Sequence, residues 1–375
     1  MIRWVVALVL ASGSAAAAPL AEVVQVSVGH AHVCAVTAKH AVVCWGDNAA
    51  GQLGTGSDGK TVSSSRPHVV GGLPAIQSAA AGAMHTCAID TRGEVYCWGS
   101  AGGDLKESAG GTSGSIDLKG AGLGTPVKYP LGEGKAQVIA LAIKGNDACV
   151  AYADEVRCWS TFRAIPIGAK TVTAPTLRIT KLAGVTALAI GHGTVCAVAA
   201  QKLACWRGGD APTLAVTGLV PSSVTIGEMY ACVAAANGAA RCWHSLVDPF
   251  WKQAPSRIIA WPGKPATTSI VAGDSPICSA GANGTVDCFL SDEGGLTDDA
   301  IARSWATTKL EAHPIGGLTD AVTVGLGLGR NVFGYGFGCA LRRTGGVACW
   351  GDNESGQLGT GDAKPTKRAV AVIAP

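Results

Sequence analysis

Short apolar or alternating stretches, each ending near a glycine, recur along the chain: Val26-Ser27-Val28-Gly29, Ala79-Ala80-Ala81-Gly82, Leu188-Ala189-Ile190-Gly191, Val224-Thr225-Ile226-Gly227, Ile270-Val271-Ala272-Gly273 and Val322-Thr323-Val324-Gly325. Their length and small side chains read as inner strands that crowd near an axis. Two further strand-like stretches follow each of them, with one cysteine apiece. A polar, glycine-rich connection of variable length comes next. In several units a proline-led fourth stretch follows, such as Arg66-Pro67-His68-Val69-Val70. No segment sustains a helical period.

The cysteines set the repeat. All 14 fall into seven pairs: Cys34 with Cys44, Cys87 with Cys97, Cys149 with Cys158, Cys196 with Cys205, Cys232 with Cys242, Cys278 with Cys288 and Cys339 with Cys349. Tryptophan follows the second cysteine in six pairs (Trp45, Trp98, Trp159, Trp206, Trp243, Trp350), and Phe289 takes that place in the remaining one. Seven units over roughly 355 residues give about 51 residues each, the length of a four-stranded propeller blade rather than of a helical repeat.

Spacing within a pair carries geometry. If both cysteines face each other across a hairpin, a separation of ten requires an odd loop and a separation of nine an even one. The three-residue hairpin loop places a left-handed residue, usually glycine, six positions after the first cysteine. Gly93, Gly238, Gly284 and Gly345 stand there, with His40 as the exception. The nine-spaced pairs suit shorter loops centred on Ala153-Asp154 and Ala200-Gln201. Directly opposed residues on antiparallel strands lie about 4.5 to 5.5 Å apart, within reach of a disulfide. Reduced thiols could fill the same places as small hydrophobes, and the N-terminus argues for disulfides. Residues 1–18 combine Arg3, the apolar run Val5-Val6-Ala7-Leu8-Val9-Leu10 and an alanine-rich end, the pattern of a secretory signal peptide. That run is too short to span a bilayer, and no later segment is apolar enough to do so. The expected location is therefore secreted or periplasmic, where disulfides persist. Zinc sites use closer cysteine spacing than nine or ten.

The expected fold is all-β: a seven-bladed propeller of four-stranded antiparallel blades with one disulfide inside each. It forms a single domain over 19–375, with blade cores near 23–56, 76–99, 138–160, 185–208, 222–244, 269–290 and 322–361. The tail, 365–375, has the character of a fourth strand and is expected to close the ring at the junction of the first and last blades.

Composition narrows function. Charged residues make up 15% and hydrophobic ones 48%, which fits a folded core and excludes disorder. A net charge of +3, without a Lys/Arg cluster interleaved with aromatics, gives no reason to expect nucleic acid. The chain lacks a Walker loop, H-E-x-x-H and G-x-S-x-G, so no enzyme, cofactor or metal is expected. His32 and His85 recur at one repeat position and read as hydrogen-bonding groups inside blades. Asp47 and Asp352 read as turn residues that satisfy backbone donors.

Trp45-Gly46-Asp47-Asn48-Ala49-Ala50-Gly51-Gln52-Leu53-Gly54-Thr55-Gly56 recurs as Trp350-Gly351-Asp352-Asn353-Glu354-Ser355-Gly356-Gln357-Leu358-Gly359-Thr360-Gly361. With Gly29-His30-Ala31-His32 and Gly82-Ala83-Met84-His85, these segments resemble the regulator of chromosome condensation repeat, which runs G-x-x-H and then W-G-x-N-x-x-G-Q-L-G. The resemblance weakens in the middle units, where Asp147, Thr194, Tyr230 and Pro276 hold the histidine position. It implies a seven-bladed propeller that presents loops to a partner. The family's best-known member exchanges guanine nucleotide on a small GTPase and binds chromatin, which the signal peptide disfavours here. Secreted bacterial members, one of them a β-lactamase inhibitor, resemble this chain more closely.

The departures from the repeat are where a site is expected. They are the glycine-rich connection 99–135, the segment with Trp251 and Trp261, and the insertion 325–338 with Arg330, Phe333, Tyr335 and Phe337. Aromatics and arginine of this kind grip protein partners. The expected function is a secreted, monomeric, non-enzymatic scaffold that binds an extracytoplasmic protein in an inhibitor-like manner. The alternative is a hydrolase or lyase with convergent acids or histidines at the channel mouth.

Overall fold

The computed structural model describes residues 17–56, 63–99, 123–129, 131, 137–145, 147–160, 178–191, 193–208, 210–215, 218–227, 230–244, 259–261, 266–273, 276–289, 313–327 and 336–375. Among them, 28 strands form seven antiparallel four-stranded sheets, each built from consecutive strands, as a seven-bladed propeller requires. Blade 1 comprises β1 Val23–Val28, β2 His32–Thr37, β3 Val42–Asp47 and β4 Ser63–Val69. Blade 2 comprises β5 Ile76–Ala81, β6 His85–Asp90, β7 Val95–Gly99 and β8 Leu123–Lys128. Blade 3 comprises β9 Ala140–Lys144, β10 Asp147–Ala151, β11 Glu155–Ser160 and β12 Arg178–Lys181. Blades 4, 5 and 6 begin with β13 Val185–Gly191, β17 Pro221–Ile226 and β21 Thr267–Ala272. Blade 7 comprises β25 Ala321–Gly327, β26 Phe337–Arg342, β27 Val347–Gly351 and β28 Thr366–Ala371.

All seven expected cysteine pairs are disulfides between directly opposed residues of the second and third strands of a blade. Cys34 bonds Cys44 in blade 1, Cys87 bonds Cys97 in blade 2, and Cys149 bonds Cys158 in blade 3. Cys196 bonds Cys205, Cys232 bonds Cys242, Cys278 bonds Cys288, and Cys339 bonds Cys349 in blades 4 to 7. Their Cα atoms lie 4.0–4.2 Å apart, closer than the 4.5 to 5.5 Å expected of opposed strands. Turn chemistry follows the spacing. Gly93, Gly238, Gly284 and Gly345 all take the left-handed conformation (φ 84°, 82°, 76° and 77°), as does His40 at 61°. His40 offsets its awkward backbone with a 3.0 Å hydrogen bond between Nδ1 and the Ile76 carbonyl of blade 2. The nine-spaced hairpin at Ala200-Gln201 turns through two left-handed residues (46° and 61°), whereas Ala153-Asp154 uses none.

Inner strands line the axis and pack side by side, β1 against β5, β5 against β9 and onward until β25 returns to β1. Such strands leave one row of backbone groups facing the channel, and side chains from the neighbouring blade satisfy several of them. Gln25 bonds both the carbonyl and the N–H of Ala79, at 3.0 and 2.8 Å. Ser27 accepts from Ala81, Thr225 from Ala272 and Ser269 from Val324, at 2.9, 3.2 and 3.3 Å. The alternation of small polar and apolar residues in these strands thus serves cross-blade bonding as well as packing.

Seven apolar clusters lie between blades, one in each seam. Glycine permits the tightest approach. A Cβ on Gly227 would lie 1.9 Å from the Gly273 carbonyl of blade 6, and backbone cannot move aside as a flexible side chain can. Gly227→Ala is expected to destabilise the protein by about 1–3 kcal/mol through overpacking, read as a lower thermal midpoint. An unchanged midpoint would show that the blade 5–blade 6 seam is slack.

The ring closes through both chain ends. β28 is the fourth strand of blade 7, pairing with β27. Its continuation meets the segment before β1: Pro19 bridges Ile373, Leu20 donates to Val372 at 2.8 Å, and Ala374 donates to Ala18 at 2.7 Å.

Candidate functional site

The twelve-residue repeat works as a clasp across a seam. In the turn after β3, Asn48 Oδ1 accepts from the Leu53 N–H and Gln52 Oε1 from the Ala50 N–H, both at 2.9 Å. Gln52 Nε2 donates to Asp47 Oδ2 at 2.9 Å. Burial pushes the Asp47 carboxyl above its ordinary range, against the pull of bonds from Ala49 and Gln52. The turn so held offers the Gln52 carbonyl to blade 2, where Trp98 Nε1 donates to it at 2.9 Å. The second copy repeats this geometry. Asn353 accepts from Leu358 and Gln357 from Ser355, at 2.9 and 2.8 Å, while Trp45 of blade 1 donates to the Gln357 carbonyl at 2.9 Å. The motif of one blade therefore anchors the tryptophan of the next.

Five glycines that follow or end inner strands (Gly29, Gly82, Gly145, Gly273 and Gly327) line a cavity of about 40 Å³ at one end of the axis. Among the described residues, His30 and Lys144 are its titratable lining residues, and no carboxylate lines it. A space of that size holds little more than a water molecule. His32 and His85 stand behind the glycine lining, buried within the blades. Burial, with neighbouring histidines adding to it, lowers their pKa to about 3 and about 4, so both imidazoles are neutral near pH 7. Among the described residues, no group of three or more His, Cys, Asp or Glu is arranged to hold a metal.

Two family models, each described as the regulator of chromosome condensation (RCC1) repeat, match the chain. One covers residues 40–89, and the other covers 23–52 and 332–357. The matched segments are RCC1-like repeats, in blades 1, 2 and 7.

Probable E3 ubiquitin-protein ligase HERC4 from Homo sapiens is 38% identical over 81 residues, 21% of this chain and 7% of its own length. The ultraviolet-B receptor UVR8 from Arabidopsis thaliana is 37% identical over 75 residues, 20% of this chain and 17% of its own. The chain thus matches less than a fifth of either relative. Prp20p from Saccharomyces cerevisiae, whose structure is described with its binding properties to Gsp1p and histones, superposes with a TM-score of 0.58 at 18% identity. That match covers 82% of this chain and 80% of Prp20p, and at such identity it shows the fold.

Where the RCC1-like clasp is lost, other aromatics replace it. Tyr129, just beyond β8, stacks on Trp159 of blade 3 with ring centroids 5.4 Å apart. Trp261 meets Phe289 edge-on at 4.3 Å and donates from Nε1 to Ser279 Oγ at 3.0 Å. Phe289 leaves the tryptophan slot of blade 6 underfilled, and Trp261 fills the gap. Phe337 is 1% exposed and stands opposite Gly351, as His32 stands opposite Gly46 and His85 opposite Gly99. Two residues expected to contact a partner, Trp261 and Phe337, are thus committed to seams: Phe337 takes the histidine place of blade 7, and Trp261 packs beside Phe289 where blade 6 lacks its tryptophan. Trp251, Arg330, Phe333 and Tyr335 lie outside the described residues.

Blade 3 also holds a buried ion pair that the repeat pattern does not announce. Glu155 and Arg157, with side chains 2% and 8% exposed, meet at 2.7 Å. Arg157 also donates to the Leu131 carbonyl and covers the Tyr152 ring at 4.8 Å, while Lys181 bonds the second Glu155 oxygen.

Proposed function

We propose that this propeller is a non-enzymatic, monomeric scaffold that binds a protein partner outside the cytoplasm through its irregular connections, in an inhibitor-like manner. One observation carries the reading: the titratable and aromatic residues of the repeat motif are spent on the seams. His32, His85, Gln52, Trp45 and Trp98 hold one blade to another or lie buried within blades, and Asp47 is bonded to Gln52 inside the clasp turn. Partner contact therefore falls to the segments outside the repeat, with Trp251, Arg330, Phe333 and Tyr335 as the contact residues. The seven disulfides and the leader pattern of residues 1–18 support an oxidising compartment. Prp20p, a protein of the same fold, is described with binding to Gsp1p and histones, which is in keeping with a protein-binding role.

The test is capture from cell-envelope and medium fractions by the immobilised chain 19–375, followed by affinity measurement on each captured protein. A partner whose affinity falls at least tenfold for the triple variant Arg330→Ala, Phe333→Ala and Tyr335→Ala, with an unchanged thermal midpoint, supports the reading. A partner bound equally by the triple variant and by Trp251→Ala would move the contact off these connections.

A further inference from the structure

The two clasp seams differ in one respect that has a chemical consequence. At the blade 1–blade 2 seam, His32 Nε2 lies 2.9 Å from Thr86 Oγ1, and Thr86 donates its hydroxyl proton to the Gln52 carbonyl at 3.0 Å. With that proton spent, Thr86 can only accept from the imidazole, so His32 carries its proton on Nε2. His32 Nδ1 and both ring nitrogens of His85 are buried without a hydrogen-bond partner. His85 faces blade 3, where Gly82, the glycine behind its ring, abuts Ile143. Blade 2 is thus flanked on both sides by a buried, neutral histidine. At the blade 7–blade 1 seam the clasp is the same, but Phe337 holds the place of His32 and Val33 that of Thr86.

We propose that blade 2 is an acid-released wedge of the ring: protonation of His32 and His85 loosens the seams on either side of it, while the blade 7–blade 1 clasp holds. A proton added to either ring creates a buried N–H with no acceptor, beside a second imidazole. His30, at the cavity between these seams, opposes the charging of both rings. Lys144 lines the same cavity as a further positive group, and Asp47, the carboxylate of the clasp itself, is bonded to Gln52. No described carboxylate is placed to stabilise the imidazolium.

The direction follows from linkage. Closed seams keep the rings neutral down to about pH 4 for His85 and about pH 3 for His32, whereas exposed rings titrate at the ordinary 6.5. As pH falls below 6.5 the open form binds protons first, so opening becomes more favourable until the closed form itself titrates near pH 4. At pH 5 the open population rises about 30-fold for each ring, or about a thousandfold if opening exposes both.

Hydrogen exchange read by mass spectrometry at pH 7.5 and pH 5, corrected for intrinsic exchange rates, tests this. Protection over residues 85–99 is expected to fall about a hundredfold or more, with residues 337–351 little changed. Two variants borrow the chain's own pH-inert solution. His32→Phe with Thr86→Val copies the blade 7–blade 1 seam, and His85→Phe copies Phe337. Each is expected to reduce the pH dependence at residues 85–99. Equal loss of protection in both segments would overturn the proposal, as would variants that fold and keep the wild-type pH profile. If the variants fail to fold, the comparison of the two segments in the wild-type protein decides it.

Discussion

Full reduction of this propeller is expected to unfold it at ordinary temperature. Each disulfide closes a ring of about ten residues, worth roughly 2.5 kcal/mol in the chain-entropy model. Seven such rings sum to about 17 kcal/mol as an upper figure, more than the whole stability of most proteins, about 5–15 kcal/mol. The cysteines are 0–6% exposed, so reagents reach them only through opening, and a folded sample resists mild reductant. The measurement is far-ultraviolet circular dichroism on protein unfolded, reduced, alkylated and returned to native buffer, beside an oxidised control. Loss of the sheet signal only in the alkylated sample is the expected result. Recovery of the native spectrum and midpoint would mean that the seams alone sustain the ring. Replacing single pairs tests the same account more gently. The double variant Cys34→Ser with Cys44→Ser should cost about 2–4 kcal/mol and leave the protein folded.

The disulfide register was legible because strand geometry has period two and hairpin loops have few lengths. Separations of nine and ten, with glycine at the sixth position, left little freedom, and the turns at Gly93 and Gly345 follow it. The clasp was visible as a motif, but its role was not. Trp98 reaches Gln52 across 46 residues of chain, and no local spacing shows where a seam will bring an indole. Phe337 carried a signal that composition hid. It lies two residues before Cys339, as His32 lies two before Cys34, so counting from the cysteine places it in the repeat. Trp261 was harder to read, since its burial depends on Phe289 leaving space in the next blade. A blade that loses a large residue draws a replacement from outside the pattern, so an aromatic outside the motif marks a repaired seam as readily as a binding face.

Glu155→Ala is expected to be among the most damaging single substitutions in the chain. Arg157 would keep its charge in a site where its side chain is 8% exposed, with the Leu131 carbonyl and the Tyr152 ring as remaining company. Breaking a buried pair by removing one partner costs about 3–5 kcal/mol, because the survivor stays desolvated and unpaired. Lys181 cannot make up the loss, since it is a second cation and its side chain is 71% exposed. Replacing both members gives the opposite expectation. Glu155→Leu with Arg157→Met should lie within about 1 kcal/mol of wild type or above it, because the desolvation cost disappears with the charges. Chemical denaturation of the two variants beside wild type separates these outcomes. A double variant as unstable as the single one would mean that the pair acts by shape, through the contact of Arg157 with Tyr152, rather than by charge. A single variant close to wild type would mean that water reaches the guanidinium and that blade 3 is open at its outer strands.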